Sequence, residues 1–207
     1  ECFCKEIDLA AAGAGEAHSL HYGVPLPRKI QPESAAHLIG EYSQPGERVL
    51  DPFCAGGETV LEAALQGRIP IGSDLNPLAV RISQAKLQPA DITDVTLKLQ
   101  GINLKAPISS KLYSEYFSPF FEINTFREIV NLRRFIRSNP DEVTRFLEMV
   151  ALGLLHGQSA GSFSVYTFSQ LSLPPKEQKL LNAKRRQYPD YRAVAPRLLR
   201  RTASLTR

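Results

Sequence analysis

The chain has 207 residues, of which 43% are hydrophobic and 22% are charged, and its formal net charge is +4. This composition excludes a disordered protein and suits a domain, or a domain and a half, with a substantial buried core. It also argues against a membrane protein, because the best candidate span, 146–155, is shorter than the about 18 residues needed and contains Glu148.

The positive charge is concentrated at the C-terminal end of the chain. Residues 176–207 contain ten Lys or Arg against two acidic residues, a net charge of +8, which leaves −4 on the other 175 residues. A polyanion such as nucleic acid would therefore bind this segment. A solvated helix face or a frayed tail accounts for the same charges equally well.

The three cysteines, Cys2, Cys4 and Cys54, cannot all pair within the chain, which favours a reducing, cytoplasmic compartment. Cys2 and Cys4 together with His18 and His21 raise the alternative of a zinc site. Their spacing differs from that of zinc-binding motifs, so we expect no metal. The chain begins with Glu1 and shows no secretory signal, and we expect it to be a piece of a longer protein.

The first elements in chain order are an N-terminal arm and a segment in which strands and helices alternate. The arm, 1–31, is expected to be irregular because prolines interrupt it. A helix is predicted over 32–42, followed by a short buried strand over 48–53 that ends near Asp51. A helix over 59–66, capped by Gly67, leads into a strand that closes on Asp74.

A second helix follows, with Asn76 as its cap, so strand, helix, strand and helix alternate as in a parallel α/β unit over 32–105. The region 106–175 is predicted to be helical, since apolar periodicity over 124–137 and 141–157 indicates a packed helix pair. A strand is expected over 162–171. The basic segment 176–207 is expected to be irregular, with a short helix over 194–199.

Two acidic corners point to the ligand. In parallel α/β sheets ligands bind beyond the carboxyl ends of the strands, which here end in Asp51 and, 23 positions later, Asp74. A carboxylate at the second corner suits ribose hydroxyls. A nicotinamide cofactor is disfavoured because a carboxylate at Asp51 would repel its phosphates. S-adenosylmethionine has an ammonium group, a ribose and no phosphate, and it fits better. A plain strand-to-helix turn, with Asp74 as a helix cap, is the alternative.

The stretch "VLDPFCAGGETVLEAALQGRIPIGSDLNPLAV", 49–80, resembles the first two cofactor motifs of the DNA amino-methyltransferases, which act on adenine N6 or cytosine N4. The similarity covers about 37–87. It implies a partial Rossmann-like methyltransferase fold with a helical insertion, S-adenosylmethionine as the cofactor and DNA as the partner. It also implies a site-specific enzyme of the kind used in restriction–modification. The chain departs from the pattern at Ala55, where glycine is usual, and at Glu58, where a small residue or threonine is common.

The resemblance also implies a set of cofactor-binding residues. Cys54 is expected to be a small packed residue rather than a nucleophile, because it lies inside the cofactor turn. The arm around 18–30 resembles the family segment that folds over the methionine part of the cofactor, and it contributes Lys29. The complete set is Asp51, Pro52, Phe53, Cys54, Ala55, Gly56, Gly57, Thr59, Asp74, Leu75, Asn76 and Lys29.

The family's catalytic motif, an Asp, Asn or Ser followed by Pro-Pro and an aromatic residue, is not recognisable. The one Pro-Pro pair lies in "LPPK", 173–176, which offers neither an acceptor nor a stacking ring. The catalytic residues therefore stay unassigned, and we expect this chain alone to be inactive, with the remaining half on a continuation or a separate chain. If the chain were active, Tyr116, Asn124 and Tyr166 would be the first candidates.

Two other functions stay open at this point. One is an RNA guanine-N2 methyltransferase, whose family shares the Asp-Pro-Phe-Cys pattern of 51–54. The other is a non-catalytic protein that binds the cofactor or a partner. The target base, the recognition sequence and the oligomeric state are not determined by these motifs.

Overall fold

The computed structural model describes residues 2–4, 17–25, 30–167 and 173–206. The chain divides into two compact units, the first formed by 1–90 with 204–207 and the second by 91–203. The four segments expected from the sequence stay a prediction. No helix among the described residues is long and apolar enough to cross a membrane.

The first unit contains a three-stranded sheet. Its strands are β1 (Cys2–Cys4), β2 (Arg48–Asp51) and β3 (Ile69–Ser73), in the order β1-β3-β2. β2 and β3 run parallel, with Asp51 opposite Gly72, as the sequence predicts. β1 pairs with β3 in the antiparallel direction. The sequence did not predict this strand, because three residues are too few to show a periodic pattern. The α/β class is thus confirmed, while the Rossmann-like arrangement stays a prediction.

One expectation about the sheet is wrong. The sequence predicts that the strand ending at Asp51 is buried, but Leu50 is 61% exposed. The reason is its position, because β2 lies at the edge of the described sheet and has a paired strand on one side only.

Three helices of the first unit follow the sequence closely. They are α1 (Pro32–Tyr42), α2 (Glu58–Leu65) and α3 (Pro77–Leu87). Both α1 and α3 have a proline in the first turn. Backbone N–H groups in the first turn have no partner within the helix, so the N–H that proline lacks is not missed there. The small core beneath the sheet includes buried Cys54, Val60, Ala64 and Leu87.

The described part of the N-terminal arm is anchored rather than loose. Ser19–Tyr22 form a single 3-10 turn in which Leu20 and His21 are fully buried. The His21 Nε2 atom lies 2.7 Å from Glu62 Oε1 on α2, and the Ser19 hydroxyl donates to the carbonyl of Leu205 at 2.6 Å. The irregular arm predicted from the sequence therefore contains one ordered turn, which docks on α2.

The second unit is helical. It contains α4 (Ile92–Gln100), α5 (Ile123–Ser138), α6 (Glu142–Leu155), α7 (Pro175–Arg185) and most of α8 (Val194–Leu205). α5 and α6 contact each other, which confirms the predicted helix pair. At the start of α6, Asp141 and Thr144 cap each other's backbone N–H groups, a strong helix-start signal.

The strand predicted over 162–171 is wrong for the part that the structure describes, 162–167. Residues 162–165 are bends rather than a strand, with one isolated bridge between Gly157 and Tyr166. The carbonyls of Ser162 and Ser164 accept hydrogen bonds from the guanidinium of Arg192, so they are not paired with a neighbouring strand. The rest of the predicted strand, 168–172, lies outside the described residues.

The basic segment is helical where an irregular chain was expected. Pro175 stands in the first turn of α7, a favourable place for proline, so the Pro-Pro pair starts a helix. α8 begins at Val194 as predicted but continues to Leu205 rather than ending at 199. The backbone N–H of Val194 donates to the buried carboxylate of Glu128 at 2.8 Å, which caps the start of α8.

Candidate cofactor-binding site

The glycine turn, residues 52–57, connects β2 to α2. Asp51 ends the strand, and its Oδ1 accepts the backbone N–H of Phe53 at 3.0 Å. The N–H of Cys54 donates to the carbonyl of Ser73 at 2.9 Å, which fixes the turn against the end of β3. The chain then enters α2 through Gly57, whose φ of 82° lies in the left-handed region. The two strand ends and the turn thus form one hydrogen-bonded corner.

Asp74 joins the two acidic corners through its carboxylate. Oδ1 accepts the N–H of Asn76 at 2.8 Å, and Oδ2 accepts the N–H of Ala55 in the glycine turn at 3.0 Å. These backbone hydrogen bonds, the one from Asn76 first, lower the pKa of Asp74, so it is ionised at neutral pH. A carboxylate has about four acceptor positions, so further lone pairs stay available to a ligand.

Asp74 is not the N-cap of α3, so the helix-cap part of the alternative considered from the sequence is wrong. The side chain of Asn76 accepts the N–H of Leu78 at 3.0 Å and is the N-cap. Asp74 instead spans 19 residues to reach Ala55. Its position is therefore set by hydrogen bonds from the backbone N–H groups of Ala55 and Asn76 rather than by capping of α3.

Two large apolar side chains stand beside these carboxylates. Phe53, two residues after Asp51, is 75% exposed, and Leu75, the residue after Asp74, is 94% exposed. Exposed apolar side chains of this size are informative when they cluster, because burial would otherwise be favourable. Each of the two carboxylates thus has a highly exposed apolar side chain within two residues of it in the chain.

The backbone of the turn requires small residues. A Cβ on Gly57 would lie 2.8 Å from Ser83 Oγ and 2.9 Å from Ser83 Cα, which is too close for any side chain. Ala55 has φ 41°, so it takes up the left-handed conformation for which the usual glycine is better suited. Alanine in place of the usual glycine at position 55 therefore keeps the shape of the turn but strains its backbone.

Cys54 packs beneath the turn rather than facing solvent. Its side chain is 2% exposed, and Ser83 Oγ lies 3.5 Å from the sulfur. Burial raises the pKa of the Cys54 thiol, which disfavours the nucleophilic thiolate. This geometry suits the packing role expected from the sequence.

The sequence interpretation missed two residues that support the turn from below. Ser83 and Lys86 lie on the face of α3 that meets the turn, and Lys86 Nζ is 2.9 Å from Glu58 Oε1. The signal was present but weak. Lys86 falls seven residues after Ala79 on the apolar face of its helix, and an ionisable residue in that position requires a partner.

The remaining candidates are dispersed. Lys29 lies outside the described residues, and Thr59 follows Glu58 in the first turn of α2. In the second unit, Tyr116 is 47% exposed, the amide of Asn124 donates to Glu122 at 2.8 Å, and the Tyr166 ring lies 3.7 Å from the Arg185 guanidinium carbon. Asn124 and Tyr166 thus contact different neighbours.

The metal alternative gains no support. Within 17–25, 30–167 and 173–206, no group of three or more His, Cys, Asp or Glu is arranged to hold a metal ion. The side chains of Cys2 and Cys4 lie outside the described residues, so their part in that alternative is untested.

Comparison with known proteins addresses the same region. Residues 14–85 match a protein-family model described as DNA methylase. The type II methyltransferase M.MjaII of Methanocaldococcus jannaschii is 27% identical over 101 residues, which are 48% of this chain and 18% of that protein. The chain thus spans less than a fifth of the length of this relative. No solved structure matches.

The matched residues contain the anchored arm, the glycine turn and both acidic corners. The resemblance drawn from the motifs at 49–80 is therefore confirmed: residues 14–85 of this chain are similar to the DNA methylase family.

Proposed function

We propose that this chain carries the S-adenosylmethionine-binding part of a site-specific DNA amino-methyltransferase that acts on adenine N6 or cytosine N4. The observation that carries the proposal is the carboxylate of Asp74, which bridges both acidic corners at the edge of a parallel strand pair. The family match and the type II methyltransferase relative favour the same activity.

The chemistry of the corner suits S-adenosylmethionine. Asp51 and Asp74 attract a cationic ligand and disfavour a phosphate, which argues against dinucleotides. The exposed rings and chains of Phe53 and Leu75 offer apolar surfaces for a base. The cofactor would be held by residues 51–57 with Thr59, by 74–76 and by Lys29 of the arm. When bound, it supplies a methyl group on a positively charged sulfur.

RNA guanine-N2 methylation is the less favoured activity. Its family shares the pattern of 51–54, but the model that matches this chain is that of a DNA methylase. We therefore propose DNA as the partner.

Some basic side chains of the segment 176–207 are bonded within the chain, and others are exposed to solvent. Arg192 donates to the backbone carbonyls of residues 162 and 164, and Arg197 donates to that of residue 160, all within the second unit. Lys176, Lys179 and Lys184 are exposed on α7. We propose that these lysines contact the phosphate backbone, because exposed cations neutralise phosphates irrespective of base sequence.

The acceptor for the target amine is not supplied by "LPPK". Pro174 and Pro175 start α7, and Lys176 is exposed, so this segment presents no carboxylate, amide or aromatic ring. A base amine has its lone pair delocalised into the ring and needs such an acceptor to be oriented. We propose that methyl transfer requires a further segment, on a continuation or a separate chain.

Calorimetric titration of S-adenosylmethionine into the wild type and Asp74→Asn tests the proposal. We expect the substitution to weaken binding about 10- to 100-fold, because a charge-assisted hydrogen bond contributes about 1.5–3 kcal/mol. Asp91→Asn is the matched control, since Asp91 also accepts a backbone N–H, from Thr93 at 2.6 Å, but lies in the second unit. Absence of binding by the wild type would overturn the function, and equal affinities would overturn the role of Asp74.

A further inference from the structure

We infer that Glu58 and Lys86 form a positioning pair that holds the glycine turn in its cofactor-binding conformation. Ala55 has a positive φ that alanine disfavours, so the turn needs contacts from outside to keep its shape, and the pair of Glu58 and Lys86 supplies them. The inference rests on the proposed function, because it assigns the turn to cofactor binding. Neither residue belongs to the set of cofactor-binding residues deduced from the motifs.

The first observation is where the carboxylate of Glu58 lies. Glu58 is the first residue of α2, and its side chain folds back against the turn. A Cβ built on Gly56 would be 2.6 Å from Glu58 Oε2 and 2.8 Å from Oε1. The carboxylate thus occupies the space that a side chain at 56 would need.

The second observation is the burial of the ion pair. Lys86 Nζ lies 2.9 Å from Glu58 Oε1, and the two side chains are 0% and 3% exposed. Removing both charges from water is unfavourable, so a buried ion pair is poor evidence for a contribution to stability. Such a pair fixes geometry instead, because a displaced partner would leave a buried charge uncompensated. Here it joins the start of α2 to the last turn of α3.

The third observation is that α3 supports several positions of the turn at once. Ser83, one helical turn before Lys86, lies against Cys54 and against Gly57. Between these contacts stands Ala55 with φ 41°. A non-glycine residue keeps such a conformation only when its surroundings determine it. The face of α3 formed by Ser83 and Lys86 and the carboxylate of Glu58 provide those surroundings, in addition to the hydrogen bond from the N–H of Ala55 to Asp74.

The experiment uses variants of the full chain. They remove the ion pair between Glu58 and Lys86, either with Ala55 kept or with Ala55 replaced by glycine to relieve its backbone strain. Glu58→Gln removes the negative charge beside the buried ammonium of Lys86 and is expected to lower the melting temperature. The double variant Glu58→Thr/Lys86→Met removes both charges and avoids that penalty. Ala55→Gly is added to the double variant, because glycine adopts positive φ without strain.

Two readouts separate positioning from general stability. Amide hydrogen exchange of residues 54–59 without ligand reports the order of the turn, and calorimetry well below the melting temperature reports S-adenosylmethionine affinity. For the double variant we expect at least about tenfold faster exchange and at least about tenfold weaker binding, at a near-native melting temperature. Addition of Ala55→Gly should recover most of both losses.

Glu128→Gln is the control for loss of a buried carboxylate. Glu128 accepts from the Tyr191 hydroxyl at 2.6 Å in the second unit, so its loss should lower stability without changing exchange at 54–59. Wild-type exchange in the double variant, or no recovery with Ala55→Gly, would overturn the inference. If the wild type bound no S-adenosylmethionine, the proposed function would fail, and the exchange data would still decide whether the pair orders the turn.

Discussion

His156 makes the stability of the second unit dependent on pH. It follows α6, and its ring centre lies 5.4 Å from those of both Phe120 and Phe121. Its Nδ1 is buried without a hydrogen-bond partner among the described residues. Burial lowers the pKa of His156 to about 4. Protonation would place a charge among these aromatic rings, so the folded state holds the imidazole neutral.

The direction and size of the effect follow from linkage. The pKa of histidine in an unfolded chain is about 6.5. Between pH 6.5 and about 4 the unfolded chain binds more protons than the folded one, so stability falls as the pH falls through this window. Stability is unaffected by this group above pH 6.5. From pH 7.5 to 4.5 the loss in the free energy of unfolding is about 2.5 kcal/mol.

Urea unfolding at these two pH values measures the loss. His156→Phe keeps an aromatic ring in contact with Phe120 and Phe121 but cannot be protonated, so its stability should fall by about 2.5 kcal/mol less than that of the wild type. His37→Gln is the control, because His37 is exposed on α1 and its loss should leave the wild-type difference. Equal pH dependence in the wild type and His156→Phe would refute the argument.

Three further predictions concern the glycine turn, the basic helix and catalysis. Gly57→Ala should lower the melting temperature more than Gly46→Ala, because both have φ near +80° but a Cβ at 46 has no atom within 4 Å; equal losses would exclude the contact with Ser83. Neutralising the three exposed lysines of α7 to Gln should make the log–log salt dependence of duplex binding shallower by about 2.7, at about 0.9 per phosphate, and an unchanged slope would favour the solvated face. The chain alone should transfer no labelled methyl group to DNA, and robust transfer would direct attention to Tyr116, Asn124 and Tyr166.

The sequence predicted the acidic corners well because their signals are local. Asp51 ends β2, Asp74 follows the last residue of β3, and Asn76 with Pro77 marks a helix start, so a few adjacent residues determine each feature. The parallel pairing of β2 with β3 follows from the intervening helix. These features needed no knowledge of distant contacts.

The features that escaped prediction depend on tertiary structure. The contact between Glu58 and Lys86 joins residues 28 positions apart, and no local pattern links them. The carbonyls of Ser162 and Ser164 lack a strand partner because Arg192 binds them, a contact equally remote in sequence. The helix α7 was missed for a different reason, because proline was interpreted as a terminator although it also favours the first helical turn.

The hydrogen bonds that Asp74 accepts limit how the glycine turn could be transplanted into another protein. A designer who grafted only the segment 49–60 onto another parallel sheet would leave the N–H of Ala55 without its carboxylate acceptor. The left-handed backbone at 55 would then lose one of the bonds that holds it. The smallest portable unit therefore extends from β2 through Asn76, and grafting the face of α3 as well would retain the contacts of Ser83 and Lys86.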